Sequence, residues 1–173
     1  MAVWPENRFD QLLVFTLEGK RYALHLEAVE SVVRAVEVTP LPDAPEMVLG
    51  IINLQGRIVP VINTRRCFRL QERELRTSDQ FIIVSTARRT LVFVTDAVLD
   101  VIGFPSGGAV PSGEILPGME RIEGVMILAD GMIIITDIDK ILSLDDELLL
   151  DDQLEKMGCL EAGVGHECRE QLP

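Results

Sequence analysis

Large apolar residues fall along this chain in short runs, each broken by a turn. Leu13 to Leu17 alternates larger and smaller side chains, Glu18-Gly19 interrupts, and Lys20 to Leu24 resumes the pattern. Two such runs around a glycine-containing turn predict a β-hairpin. Phe81 to Ser85 and Thr90 to Val94 predict a second, with its turn near Ala87-Arg88. Val48 to Leu54 and Arg57 to Ile62 flank Gln55-Gly56. Val125 to Leu128 and Met132 to Thr136 flank Ala129-Asp130-Gly131. Asp-Gly between apolar runs is a strong local hairpin signal, because glycine accepts positive φ. Between these hairpins the pattern is less decisive. Val29, Val32 and Val33 have helical spacing, yet valine favours strands, so Glu27 to Val33 fits a helical turn or a strand. Thr39 to Pro45 is a proline-rich crossing loop, since proline lacks the amide donor of a central strand. Short helices are expected at 64–70 and 138–142.

The hairpins form a repeat. Tyr22 to Val32 aligns without gaps on Leu91 to Val101, 69 positions later. Gly50 to Gly56 is echoed by Gly124 to Gly131, about 74 to 75 positions later. Each copy offers about five strands, and small five-stranded units curl into barrels that limit exposed edges. A half this size buries too little surface to stand alone, so the two should pack and fold as one unit. The expected limits are 10–157, with subdomains 10–75 and 76–144. A candidate helix follows over 145–157, and a flexible tail over 158–173. Residues 104–113 form a long turn-rich loop inside the second copy.

Composition narrows the class. Hydrophobic residues make up 47% of the 173, ample for a core. No apolar stretch has the length of a membrane span, and the first ten residues lack a secretory pattern. The cysteines at 67, 159 and 168 have no framework spacing, so the expectation is a cytosolic protein with reduced thiols. The net charge of −12 argues against nucleic acid as the partner. Eight of the 16 basic residues lie between Arg57 and Arg89, and acids gather between Asp145 and Glu155. Such runs read as a solvated surface, or as a basic band that steers an acidic partner.

Catalytic chemistry is sparse. The two histidines, His25 and His166, stand apart, and His25 occupies the repeat position of Val94, which favours a structural role. Cys159, His166 and Cys168 do not have the spacing of a tetrahedral metal site. The chain has no phosphate-cradling glycine motif. Asp96, Asp100 and Asp137 fit ordinary turn or strand-end roles. Aromatic content of 5% is too low for a base-stacking platform. No catalytic residue, metal or cofactor is assigned. The residues describe a chain built to be bound.

The run from Gly50 to Ile62, with Asn53-Leu54-Gln55-Gly56 at its centre, resembles the CheW-like chemotaxis coupling protein family. The lead-in from Leu13 to Val29, the second copy, and Ile133 to Leu142 match as well, so the resemblance covers roughly 10–145. It implies an all-β fold of two pseudo-symmetric five-stranded SH3-like β-barrels, with short helices, around a shared apolar interface. It implies a non-catalytic adaptor in the cytoplasm, recruited to receptor arrays at the membrane without inserting. Its partners would be the regulatory domain of the chemotaxis histidine kinase and the cytoplasmic tip of a methyl-accepting chemoreceptor. The family's partner-binding positions map to Val29, Gly50, Asn53, Leu54, Gln55 and Gly56.

Each position has a plainer reading. Val29 fits the core, Gly50 a backbone necessity, Gly56 turn geometry and Asn53 a local cap. Gln55 replaces the family's arginine, and Asn63 stands where the family has an acid. Arginine offers a charged fork of donors that glutamine lacks, which points to a divergent partner set. The alternative function is a small-ligand-binding β-barrel sensor, capped by the loop 104–113.

Overall fold

A computed structural model describes residues 11–104, 109–111 and 121–161, with side chains as far as 157. Eleven strands follow in order: β1 (Gln11–Leu17), β2 (Lys20–His25), β3 (Val29–Arg34), β4 (Val48–Leu54), β5 (Arg57–Ile62), β6 (Gln80–Ser85), β7 (Thr90–Thr95), β8 (Ala97–Gly103), β9 (Val110–Pro111), β10 (Ile122–Leu128) and β11 (Gly131–Thr136). Helices are α1 (Thr64–Cys67) and α2 (Leu144–Glu161), with 3₁₀ turns at Leu26–Ala28 and Ile138–Lys140. The valines of the undecided stretch form β3, because Val29 to Arg34 pair antiparallel with β6. The helix expected over 64–70 stops at Cys67, where Leu70 N donates to the Arg65 carbonyl and Arg69 turns left-handed at φ 56°. The one expected over 138–142 is a single 3₁₀ turn.

The strands make two sheets, ordered β8-β1-β2-β11-β10-β9 and β3-β6-β7-β5-β4. Matching the sequence copies strand by strand turns one order into the other. The first hairpin of each copy therefore lies in the sheet of the other copy. β1–β2 joins β8, β10 and β11, while β6–β7 joins β3, β4 and β5. The parallel pairings β11 with β2 and β5 with β7 stitch each exchange. The cut between residues 75 and 76 therefore divides two sequence copies but not two sheets. Even the short β9–β10 pairing has its counterpart in the bridge between Thr39 and Ile51.

The exchange explains why the first hairpins are so apolar. In a strand, successive side chains point to opposite faces. Leu12, Val14 and Ala23 fill the core of the six-stranded sheet with Met126, Ile133 and Ile135. Phe81, Ile83 and Val92 fill the other with Ile52, Val59 and Val61. The alternate residues Leu13, Phe15, Leu17, Tyr22 and Leu24 meet Ile82, Val84, Leu91 and Phe93 in one shared cluster between the sheets. These four strands are buried on both faces, and so read as nearly continuous apolar runs.

The acidic end docks rather than floats. Ser143 and Asp146 cap α2 reciprocally, with Ser143 N and Oγ donating to the Asp146 carboxylate and Asp146 N donating to Ser143 Oγ. Leu150 enters the shared cluster, and Arg89 bridges to Glu147 and Asp151. The basic band is likewise largely neutralised within the fold. Arg57, Arg65, Arg66, Arg73 and Arg89 all hold carboxylates, which removes most of the steering field read from the sequence.

One of these pairs pins the connector between copies. Arg73 donates two hydrogen bonds to Asp79, at 2.7 and 2.9 Å, and a third to Asp96 at 2.7 Å. Arg76 N donates to Asp79 Oδ2 at 2.8 Å. Burial works to raise the Asp79 carboxyl, but the Arg73 and Arg76 hydrogen bonds and the arginine charges win and hold it below its usual value. A carboxyl lowered on folding contributes stability above its unfolded value, near 3.9, that is lost as pH falls through the lowered folded value. Asp79→Asn is expected to cost about 1–3 kcal/mol at pH 7, because the buried carboxylate's charge-assisted hydrogen bonds from Arg73 and Arg76 N are lost while Arg73 keeps Asp96. Urea titrations should show that difference shrinking as pH drops below about 4.

Candidate partner surface

The β4–β5 hairpin carries most of the sequence-assigned residues. Leu54 pairs with Arg57, so Gln55 and Gly56 alone form the turn, at φ 51° and 90°. Positive φ at both central residues is the type I′ geometry, whose twist matches that of the strands. Gln55 sits there without glycine's freedom and is exposed. Asn53 Oδ1 accepts from Gly56 N at 2.8 Å, which is the local cap the sequence suggested. Asn53 is otherwise exposed. Leu54 is half-buried against the core of the five-stranded sheet. A Cβ on Gly56 would meet nothing within 4 Å, so φ alone restricts that position.

Gly50 lies elsewhere and works differently. It is buried beside a bulge between Val48 and Gly50. A Cβ built there would lie 2.2 Å from the Thr39 carbonyl oxygen and 2.9 Å from Val38 Cγ1. The crossing loop is fixed at that distance, since Thr39 N donates to Ile51 O at 2.9 Å and Ile51 N to Thr39 O at 2.8 Å. Gly50 therefore shapes the surface through the backbone and presents no face of its own. Val29 opens β3, half-buried against the shared cluster and paired with Val84.

Next to Val29, Glu30 joins three elements. Arg57 donates to Glu30 at 2.9 Å, and Thr90 Oγ1 donates to the same carboxylate at 3.2 Å. The Arg57 hydrogen bond holds the Glu30 carboxyl below the usual range. This link draws the tip of the β4–β5 hairpin toward the start of β3 and the β6–β7 turn. Glu30, Arg57 and Thr90 escaped the sequence reading because they meet across 27 and 60 residues.

The second copy presents another chemistry at matching places. Its hairpin closes Leu128 on Gly131, leaving Ala129-Asp130 as the turn. Gly131 therefore matches Arg57, not Gly56, which corrects the alignment read from the sequence. Ile127 and Met132 pair where the first copy has Asn53 and Ile58, and are 69% and 62% exposed. Leu99 takes the place of Glu30 and is 53% exposed. The first rim is polar and charged, while the second adds three exposed apolar side chains to the Arg21–Asp130 pair at its turn.

Among the described residues, no group of three or more His, Cys, Asp or Glu side chains is placed to hold a metal. The side chains of Cys159, His166 and Cys168 lie outside the described residues. No described helix is long and apolar enough to cross a membrane.

Comparison with known proteins agrees with this geometry. Chemotaxis protein CheW of Treponema pallidum is 33% identical over 96 residues, 53% of this chain and 56% of that protein. CheW of Bacillus subtilis is 30% identical over 93 residues, 54% of this chain and 60% of that protein. The chain thus aligns with somewhat over half the length of these curated relatives. The crystal structure of the scaffolding protein TtCheW from Thermoanaerobacter tengcongensis superposes with a TM-score of 0.72 at 30% identity, over 79% of this chain and 94% of that one. The family model for the CheW-like domain matches residues 11–146, every described strand of both sheets and the start of α2. With the repeat, the paired sheets and the β4–β5 hairpin in place, the chain belongs to the CheW-like domain family.

Proposed function

We propose that this chain is a non-catalytic adaptor in bacterial chemosensory signalling. It couples the regulatory domain of a histidine kinase to the cytoplasmic tip of a methyl-accepting chemoreceptor. It works in the cytoplasm and is recruited to receptor arrays. The observation that carries the reading is one interlocked unit with two unlike rims at matching positions. Asn53, Gln55 and the Glu30–Arg57 pair mark one, and Leu99, Ile127 and Met132 mark the other. Two rims of different chemistry on a rigid frame suit two different protein partners. The sensor alternative leaned on the loop 104–113, of which 105–108 and 112–113 lie outside the described residues.

Co-purification of the full chain from its own cells, with partners identified by mass spectrometry, tests this proposal. A kinase and a chemoreceptor should be enriched together, and recovery of neither counts against it. A narrower expectation concerns Gln55. Gln55→Arg restores the charged fork at an exposed turn position already in the left-handed region. Melting should stay unchanged, while affinity for the kinase domain or the receptor tip shifts by roughly 5- to 50-fold. Equal affinity for both partners would remove this turn from the contact.

A further inference from the structure

We propose that the cavity between α1, β2 and the Ile138–Ser143 segment binds a small organic anion with an apolar, ring-sized body. The cavity holds about 510 Å³, within the range of small-molecule sites. Tyr22 and Phe68, with ring centroids 4.5 Å apart, line it together with Ile134 and Leu142. Burial pushes the adjacent Cys67 thiol up to about 12, so it stays neutral and adds to the apolar wall.

The rim is unlike the rest of the molecule. Lys20, Arg69, Arg121 and Lys140 border the cavity. These are four of only 16 cations in a chain of net charge −12. The one carboxylate among them, Asp139, already accepts from Ala87 N at 2.8 Å. Most other arginines in the central band hold a carboxylate, but Lys20, Arg69 and Arg121 have no ion-pair partner among the described residues. Arg121 spends its Nε on the Ile141 carbonyl, at 3.3 Å. Arg69 is the most informative. It occupies the left-handed position after α1, at φ 56°, where glycine or asparagine is the ordinary choice. A left-handed arginine with no side-chain partner among the described residues, over an apolar floor and beside two other cations that hold no carboxylate there, fits an anionic group supplied from outside. The floor takes the body of the ligand, and the rim takes its carboxylate, phosphate or sulfonate.

The test uses the full chain and the probe 8-anilinonaphthalene-1-sulfonate, a ring body with one anionic group. Its fluorescence should rise saturably with one site per chain. The double variant Arg69→Gly/Arg121→Gln should weaken binding roughly ten-fold or more. The uncharged analogue N-phenyl-1-naphthylamine should be affected much less. Arg69→Gly alone should melt no lower than the parent, which separates lost binding from lost folding. Unchanged binding in the double variant would overturn the proposal. So would loss of binding on Ile127→Ser/Met132→Ser instead, which would place the probe on the exposed rim. Tighter displacement of the probe by an acidic amphipathic peptide than by small anions would assign the cavity to a protein segment, and would also overturn it.

Discussion

Residues 11–75, expressed alone, will not fold, although they contain one complete copy of the repeat. Their own hairpin, β1–β2, belongs to the other sheet. Their β3, β4 and β5 lack β6 and β7, which supply Phe81, Ile83 and Val92, three of the six buried residues of that core. Each such side chain stabilises by roughly 1.5–3 kcal/mol, so their loss removes roughly 5–9 kcal/mol. That is comparable with the whole stability of a small domain. Leu12, Val14 and Ala23 of the stranded hairpin would face water without Met126, Ile133 and Ile135. Circular dichroism and amide NMR of the fragment should show a disordered chain. Mixing it with residues 76–161 should restore β structure, since each fragment carries the hairpin the other lacks. A cooperative melt of 11–75 by itself would contradict the exchange.

Gly50→Ala is expected to lower the melting temperature more than any other single change in the β4–β5 hairpin. The new Cβ would stand 2.2 Å from the Thr39 carbonyl oxygen and 2.8 Å from its carbon. Neither is the end of a flexible side chain, and the two hydrogen bonds between Thr39 and Ile51 resist their withdrawal. Ordinary overpacking costs about 1–3 kcal/mol, and a clash with fixed backbone belongs at or above the top of that range. About 3 kcal/mol corresponds to roughly 6–12 °C for a chain of this size. Gly56→Ala is the control. Space is open there, and only the positive φ is strained, at about 1–2 kcal/mol. Thermal melts that rank Gly56→Ala as the worse variant would contradict this account of Gly50. The comparison also bears on function. Lost partner binding in a Gly50 variant would report a displaced crossing loop, not a missing contact.

The sequence disclosed what is local and hid what is distant. The repeat and its hairpins were legible because Glu18-Gly19 and Gln55-Gly56 mark turns between apolar runs. The terminal helix was legible from its leucines and acids, and runs somewhat longer than the expected 145–157. The exchange of hairpins was not legible, because the parallel pairings β2 with β11 and β5 with β7 join strands far apart in the chain without a turn between them. The double-sided burial of β1 and β6 was the available clue, since their apolar runs are too continuous for a sheet with one wet face. Gly131 misled for a related reason. Asp130-Gly131 looks like a turn, but pairing of Leu128 with Gly131 moves the turn back to Ala129-Asp130. The glycine instead leaves room for Arg21, whose guanidinium lies 2.9 Å from where a Cβ would stand and donates to Asp130.

The candidate surface divides the same way. Asn53, Gln55 and Gly56 were assigned from the family resemblance, and only their turn chemistry was legible in adjacent residues. Glu30 and Arg57 were missed because an ion pair between strands has no sequence period. The fold does place a cation on the first rim. Arg57, two positions beyond Gln55, is present but committed to Glu30. The turn itself therefore carries no free charge, and Gln55→Arg would add one.

The most direct test of the adaptor account is a calorimetric titration of the full chain into the purified regulatory domain of the histidine kinase from the same cell. The account predicts a one-to-one complex with Kd on the order of micromolar or tighter, displaced by changes at one of the two rims and unaffected by the Arg69→Gly/Arg121→Gln pair. Heats indistinguishable from dilution up to roughly 100 μM chain would contradict it.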